Sequence, residues 1–375
     1  MSNDTDVAIV GGGLAGVTVA LRLAERGLHS VVLEKDYLNR AASGTNAGTL
    51  HFQLRRHDLR SPGRLELIRY AIDTWQALRE QAGSALGAKN CGGLMVAENA
   101  QEVDALDLNL FVNRSLGLTV ETVAGRALRE VAPSLAPSVV SAIYCFEEGS
   151  VNPLAVGSYL ARRARSAGVE IIERCEVSAI SAVKGGFQLQ HSKGYVRAGQ
   201  LVNAAGAWSG HVAKLLGVPL PVHGVRQMVS VTERCPTMLG PILQHIAQPL
   251  TLKQTLDGTF LIGGGWPATH LQSGSLRGRI ASDALAGNLD VACRLVPALR
   301  RTRLLRSWVG TVAVAPDRLP TVGRVDEFPG YHTLTVPRGA AGYTLTPYLA
   351  EQVALSMTGG VLPGNFQEFS PQRWL

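Results

Sequence analysis

Hydrophobic and polar positions follow two different periods along this chain, and the change from one to the other comes at the very start. Residues 7–10 (VAIV) are an unbroken apolar run, which predicts a short strand buried on both faces. Val17, Ala20, Leu21 and Ala24 then recur at helical spacing and predict an amphipathic helix over 17–26. A second apolar run predicts a strand at 30–33. Leu67, Ile68, Ala71, Trp75 and Leu78 mark a long helix over 65–83. Further helices are predicted over 103–116, 126–131, 154–167, 210–216, 277–294 and 347–358. Strands are predicted at 90–97, 142–146, 169–177 and 200–209, with a hairpin of 187–189 and 195–197. Alternating strands follow at 226–232, 250–254 and 259–262, the last two joined by the turn signal Asp257-Gly258, and two more at 305–313 and 331–336.

Runs of parallel-strand character lie at both ends and in the middle, with antiparallel patterns between them. The pattern predicts an α/β fold with a discontinuous, Rossmann-type nucleotide domain of residues 1–85, 145–220 and 305–375. An antiparallel β-sheet domain, expected to meet substrate or partners, takes 86–144 and 221–304. At 375 residues the chain exceeds one ordinary core, which agrees with two domains.

Between the first strand and the first helix, Gly11, Gly13 and Gly16 enclose Leu14 and Ala15 in a G-x-G-x-x-G pattern. One glycine makes the tight turn, one lets the backbone approach a pyrophosphate, and one lets helix and strand pack closely. The phosphates then meet the positive end of the helix. Glu34 ends the second strand about 20 residues on, placed to accept a hydrogen bond from a ribose hydroxyl, and Lys35 follows it. Strand, turn, helix, strand and acid in this order predict a dinucleotide site. The stretch 200–209 is a second strand opening through glycine into a helix, with room for a ligand.

Composition narrows the field. The chain is 46% hydrophobic with 41 glycines, as a folded enzyme rich in tight turns would be. No apolar run is long enough to span a bilayer, and the polar start does not resemble a secretory signal, so a cytoplasmic location is expected. Cys91, Cys145, Cys175, Cys235 and Cys293 are scattered without a C-x-x-C pair. Disulfides, a metal site and an iron–sulfur cluster of this chain's own are therefore not expected. The net charge of +7 is spread over clusters such as Arg55-Arg56, Arg162-Arg163 and 300–306. Without interleaved aromatics these read as solvated faces rather than a nucleic-acid site. A basic surface also suits an anionic substrate or an acidic partner.

Three separated segments carry a family likeness: the glycine fingerprint, VNAAGAW over 202–208, and WVGT over 308–311 with PDRLPTVG over 316–323. Together they resemble the D-amino-acid oxidase (DAO) family of flavoproteins, over essentially the whole chain. The resemblance implies a glutathione-reductase/DAO-like fold and FAD as cofactor, bound non-covalently. Within the family, ASGTNAGTLHFQ over 42–53 and VNPL over 151–154 look most like the FAD-carrying beta subunits of opine oxidase or dehydrogenase and of hydrogen cyanide synthase. That likeness implies an NAD(P)-fold alpha subunit, a small subunit that carries the iron–sulfur cluster, and, in several members, FMN at a subunit interface. It leaves a peripheral place at the inner membrane open.

The resemblance also assigns residues. It implies that Ser43, Gly44, Asn46, Ala47, Gly48, Thr49 and Leu50 run along the flavin, with Val177 near the adenine. Ala204, Ala205 and Gly206 fall near the pyrophosphate or ribityl chain, and Trp208 is a further cofactor-binding candidate. Gly339, Gly342, Tyr343 and Thr344 fall at the isoalloxazine, where the N-terminus of the last helix would stabilise negative charge on reduced flavin, and Gly310 is a further cofactor-binding candidate. The family's Gly-His-Gly at this last turn is here PRGAAG over 337–342. His51 and Tyr343 are the catalytic candidates, and His51 has the pKa range to take an amine proton. Gln53, Arg226, Trp266 and Arg338 are candidates for substrate contact, the arginines as carboxylate anchors. The activity implied is oxidation of a C–N bond in an opine or other N-substituted amino acid, with electrons passed to partner subunits. The alternatives are a stand-alone oxidase of glycine, sarcosine or a D-amino acid that reduces O₂ to hydrogen peroxide, and a flavin electron-transfer subunit without a substrate of its own.

Overall fold

The computed structural model describes residues 4–53, 61–270, 278–338 and 342–375. The chain divides into two units and crosses between them four times: residues 1–44, 154–225 and 311–375 form the first, 45–153 and 226–310 the second.

The first unit is built on a sheet whose centre is β1 (Asp4–Val10). Its inner half, Val7 to Val10, is buried on both faces, which accounts for the unbroken apolar run. β1 pairs in parallel with β2 (Ser30–Leu33) on one side and with Gly194–Asn203 on the other, so that Ile9 lies between Val32 and Val202. Beyond β2 lies Glu170–Ile172, and beyond the end of Gly194–Asn203 lies Tyr331–Thr335, both parallel. The chain leaves β1 with parallel neighbours on both flanks. That is the switch point at which such sheets open a crevice at their carboxyl ends. α1 (Leu14–Ala24) starts in that crevice and packs against the helix Gly342–Met357.

The strand expected over 169–177 is two strands, Glu170–Ile172 and Val177–Val183. Between them Arg174 takes a positive φ of 51°, and the amides of Arg174 and Cys175 each bond back at 2.7 Å to the carbonyls of Asp36 and Glu34. The backbone wraps around the end of β2 instead of running straight.

The second unit holds an eight-stranded sheet in the order Leu304–Val314, His223–Arg234, Thr259–Gly263, Thr251–Gln254, Ile242–His245, Gly93–Ala97, Ser141–Cys145, Val120–Ala124. It is largely antiparallel, with one parallel pair where Ile242–His245 meets Gly93–Ala97. The helix Ser282–Leu295 covers a core that includes Leu94, Leu243, Leu252, Phe260 and Ile262. This helix starts five residues later than expected, because Gly278–Arg279 pairs as a strand with Thr269–His270. A small sheet joins Thr49–Leu50 and Lys89–Asn90 to Gly149–Ser150. It gathers 45–90 and 149–153 into the second unit, where the sequence reading had placed residues up to 85, and those after 145, with the nucleotide domain.

Candidate active site

The nucleotide cradle of the first unit is shaped by absent side chains. Gly11 has φ of 113°, and a Cβ there would lie 2.5 Å from the Ala204 carbonyl oxygen, so the turn leaves β1 against the neighbouring strand's end. A Cβ on Gly16 would lie 1.9 Å from the Gly11 carbonyl oxygen, which fixes how closely α1 approaches β1. The Leu14 amide at the start of α1 donates to Ser43 Oγ at 2.9 Å, bringing the 42–45 segment to the helix N-terminus beside Gly13.

Glu34 is turned into this cradle. Its carboxylate accepts from the Gly12 amide at 2.6 Å and the Asp36 amide at 2.8 Å, while burial raises its pKa. Four lone-pair directions on a carboxylate leave acceptor capacity beyond these two bonds. Next to it, the Lys35 ammonium stands 3.5 Å from the centre of the Trp208 ring, a cation–π contact with the 204–209 turn. Burial lowers the Lys35 pKa. Asn203 supports that turn by donating to the Ser209 carbonyl and the Tyr331 hydroxyl and accepting from the Ala205 amide. Val177 is buried in the core behind it.

In the second unit the segment 45–53 is fixed residue by residue. Trp308 Nε1 donates to the Thr45 carbonyl at 2.9 Å, and Gly310 leaves the space that Thr45 Oγ1 fills. Gly48 donates to Asn46 Oδ1 and accepts from the Val151 amide. Thr49 and Leu50 pair with Ser150 and Gly149. His51 comes next, 22% exposed, with Nε2 3.4 Å from Thr251 Oγ1. Beneath it lies Glu148, fully buried, whose Oε1 accepts from the Phe52 and Gln53 amides at 3.0 and 2.9 Å. Burial is the largest influence on this carboxyl group and raises its pKa to about 7. Nearby, burial takes the Lys253 ammonium down to about 7, and its Nζ donates to the Val151 carbonyl.

A family profile for FAD dependent oxidoreductases (DAO) matches residues 6–355. The chain belongs to this family. It is 27% identical over 379 residues to an opine oxidase subunit of Rhizobium meliloti, covering 99% of this chain and 98% of that protein. Dimethylglycine dehydrogenase of Rattus norvegicus is 26% identical over 341 residues, or 85% of this chain, which spans 39% of that longer protein. The crystal structure of glycine oxidase from Geobacillus kaustophilus superposes with a TM-score of 0.90 at 25% identity, covering 99% of both chains. The protein is an FAD-dependent amine or amino-acid oxidoreductase acting on CH–NH donors.

The first unit's residues fit FAD. Gly11 and Gly16 give the close turn and helix approach that a pyrophosphate needs, and Glu34 and Lys35 stand at the end of β2 where the ribose and adenine would lie. Gly342 opens the last helix, and Thr344 is buried in its first turn. Burial drives the Tyr343 phenol up in pKa, so its hydroxyl stays protonated. Gly339 and the basic pair Arg55-Arg56 lie outside the described residues.

Among the substrate candidates, Arg226 and Trp266 lie on paired segments, the Ala268 amide bonding to the Arg226 carbonyl and the Met228 amide to the Trp266 carbonyl. Gln53 is buried, and its amide nitrogen donates to the Gly93 carbonyl at 3.2 Å and approaches Glu148 Oε2 at 3.3 Å. Its nitrogen thus shapes the loop. Trp266 donates its indole N–H to the Pro249 carbonyl and lays its ring against Gly287, so it packs on the second unit's core. Arg226 is 8% exposed, its stem against Gly278. Arg338 is exposed, its amide bonded to the Ala313 carbonyl. The sequence reading missed Glu148, Gln244 and Lys253. The one signal for Glu148 was its place in the turn EEGSVNP that ends on the VNPL segment.

Proposed function

We propose that this enzyme oxidises the C–N bond of an opine or another N-substituted amino acid. The observation that carries the reading is the end-to-end similarity to the opine oxidase chain of Rhizobium meliloti. FAD when bound supplies the acceptor for the hydride removed from the carbon next to nitrogen. In this reading the cradle of Gly11, Gly13, Gly16 and Glu34 would hold the nucleotide half of FAD, and residues 43–50, Gly342 and Thr344 would be the flavin's contacts. His51 takes the proton of the substrate ammonium, so that the nitrogen lone pair is available when the C–H bond breaks. Arg226 or Arg338 pairs with a substrate carboxylate. The start of the helix Gly342–Met357 would stabilise negative charge on the reduced cofactor. Two electrons and a proton leave the substrate as hydride, and water then splits the resulting imine into an amino acid and a 2-oxo acid. Electrons would pass on to an NAD(P)-fold alpha subunit and a small iron–sulfur subunit.

The whole-chain match to a glycine oxidase structure favours a second reading, a stand-alone oxidase of a small amino acid. Anaerobic titration of the FAD-loaded protein, alone and with co-expressed partners, separates the two. Octopine, nopaline, glycine, sarcosine, D-alanine and both prolines form the panel. Bleaching by an opine with slow re-oxidation in air supports the first reading. Bleaching by glycine, sarcosine or D-alanine with fast peroxide formation replaces it with the second. No bleaching by any amine leaves an electron-transfer subunit.

A further inference from the structure

Glu148 does more than fill a core position. It is an acidic side chain with no exposed surface, set under a histidine that retains some. Oε1 receives both backbone donors, from Phe52 and Gln53. Oε2 faces the Gln53 amide nitrogen at 3.3 Å, and Gln244 Nε2 stands 3.5 Å from both oxygens, long distances for hydrogen bonds. All four donors are neutral. Among the described residues the ion-pair partner of this carboxylate is His51, with Nδ1 3.9 Å from Oε1. The space is reserved for it: a Cβ on Gly93 would come 1.8 Å from Oε2.

We propose that Glu148 is a positioning residue for His51: it fixes the 51–53 segment from beneath and faces the imidazole, so that the two side chains hold one proton between them. This rests on the reading in which His51 meets the substrate nitrogen. A carboxylate carrying a full charge out of water needs a counter-charge or strong donors. Two good backbone bonds and two stretched amide contacts supply part of that, and a protonated His51 supplies the rest. When His51 gives up its proton, Glu148 loses its counter-charge and gains affinity for one. Once it has lost that proton, leaving a neutral imidazole beside the carboxylate, the couple can take one from an ammonium, which cancels its buried negative charge and returns it to the neutral, one-proton state.

Of the other titratable groups around the couple, Arg79 brings its guanidinium to Gly149, one residue on from Glu148, and interacts with Cys91. Cys91, before Gly93–Ala97, and Cys145, at the end of Ser141–Cys145, face Glu148 as thiols that burial keeps protonated. Glu147 turns the other way, to the Thr119 amide and the Cys145 thiol. Lys89 and Lys253, from Lys89–Asn90 and Thr251–Gln254, act on Cys91. The carboxyl group's displacement to about 7 places its titration where histidine titrates.

The test is a pH titration of the FAD-loaded protein by NMR, with ¹⁵N-labelled histidine and ¹³C-labelled glutamate side chains. In the wild type, the His51 and Glu148 signals should show the same coupled steps. In E148Q, the His51 titration should fall by about one pH unit or more. With any amine that bleaches the flavin, the pH limb of the reduction rate should move with it while KM at the plateau holds. A structural staple would change stability and leave the His51 titration where it was; that result overturns the proposal. If E148Q does not fold, the wild-type titration decides alone, because a Glu148 step without a mirrored step on His51 is equally fatal. Failure of every amine to bleach the flavin would remove the functional reading, whereas the labelled titrations still decide the couple.

Discussion

Replacing Gly16 by alanine sets two effects of known sign against each other. Alanine favours a helix interior over glycine by roughly 0.5–1 kcal/mol. Position 16 lies in the first turn of α1, and the added methyl would meet the Gly11 carbonyl oxygen at 1.9 Å, the Gly11 carbonyl carbon at 3.1 Å and Ile9 Cγ2 at 3.3 Å. All three atoms belong to the β1 side, so no single side chain can turn away; the helix start has to retreat by about 1 Å or more. Overpacking of this kind costs about 1–3 kcal/mol and outweighs the helical gain. The larger loss falls on the cofactor. Charge-assisted hydrogen bonds to phosphate contribute roughly 1.5–3 kcal/mol, and the helix terminus about 0.3–1 kcal/mol more. Losing that register should weaken FAD binding by about 30-fold or more. Urea denaturation of the apoprotein and fluorescence titration with FAD measure the two parts separately. A Gly16→Ala protein at least as stable as wild type and with unchanged FAD affinity would show that α1 does not carry the pyrophosphate.

Two further outcomes can be checked on the same preparations. Glu34→Gln keeps one acceptor for the Gly12 and Asp36 amides but loses the charge offered to the ribose. FAD affinity should drop by roughly tenfold, the apoprotein should lose about 1–3 kcal/mol because one of the two amides faces the new NH2, and an unchanged affinity would place the ribose elsewhere. The second outcome concerns pH. Burial, helped by Arg324, lowers the His332 pKa from 6.5 to about 4, so its contribution to stability is present above 6.5 and is lost as pH falls through about 4. Glu148, raised from 4.5 to about 7, acts with the opposite sign: its contribution is present below 4.5 and is lost as pH rises through about 7. Each is worth about 2 kcal/mol between pH 7 and 5, so the pair nearly cancels in the wild type. His332→Gln should therefore gain about 2 kcal/mol relative to wild type on going from pH 7 to 5, measured by urea denaturation. Equal pH slopes would refute the assignment.

Much of the first unit was legible because local signals agreed there. Apolar runs at 7–10 and 30–33, the glycines between them and Glu34 all speak for one geometry, and the structure has it. The strand Ile242–His245 escaped because all four residues are buried, two of them Gln244 and His245, so the segment shows neither alternation nor an apolar run. Its parallel pairing with Gly93–Ala97 is a long-range fact that no local pattern encodes. The break at 173–176 depends on the carbonyls of Glu34 and Asp36, more than a hundred residues away. Glu148 was hidden by its neighbour. Two identical acids stand side by side, and only the packing of Gly93 and Gln53 decides that Glu148 turns inward while Glu147 faces the Thr119 amide.

The interleaved course of the chain has a consequence for how the molecule comes into being. A nascent polypeptide that has emerged as far as residue 310 contains all of the second unit. It also holds the glycine turn, Glu34 and the 204–209 turn of the first. It still lacks Tyr331–Thr335, the strand that flanks Gly194–Asn203, and the helix Gly342–Met357 that backs α1. Synthesis therefore delivers the nucleotide-binding half in three stretches with the two stretches of the other half made between them, and the cradle for the cofactor closes only when the final segment folds back onto the first.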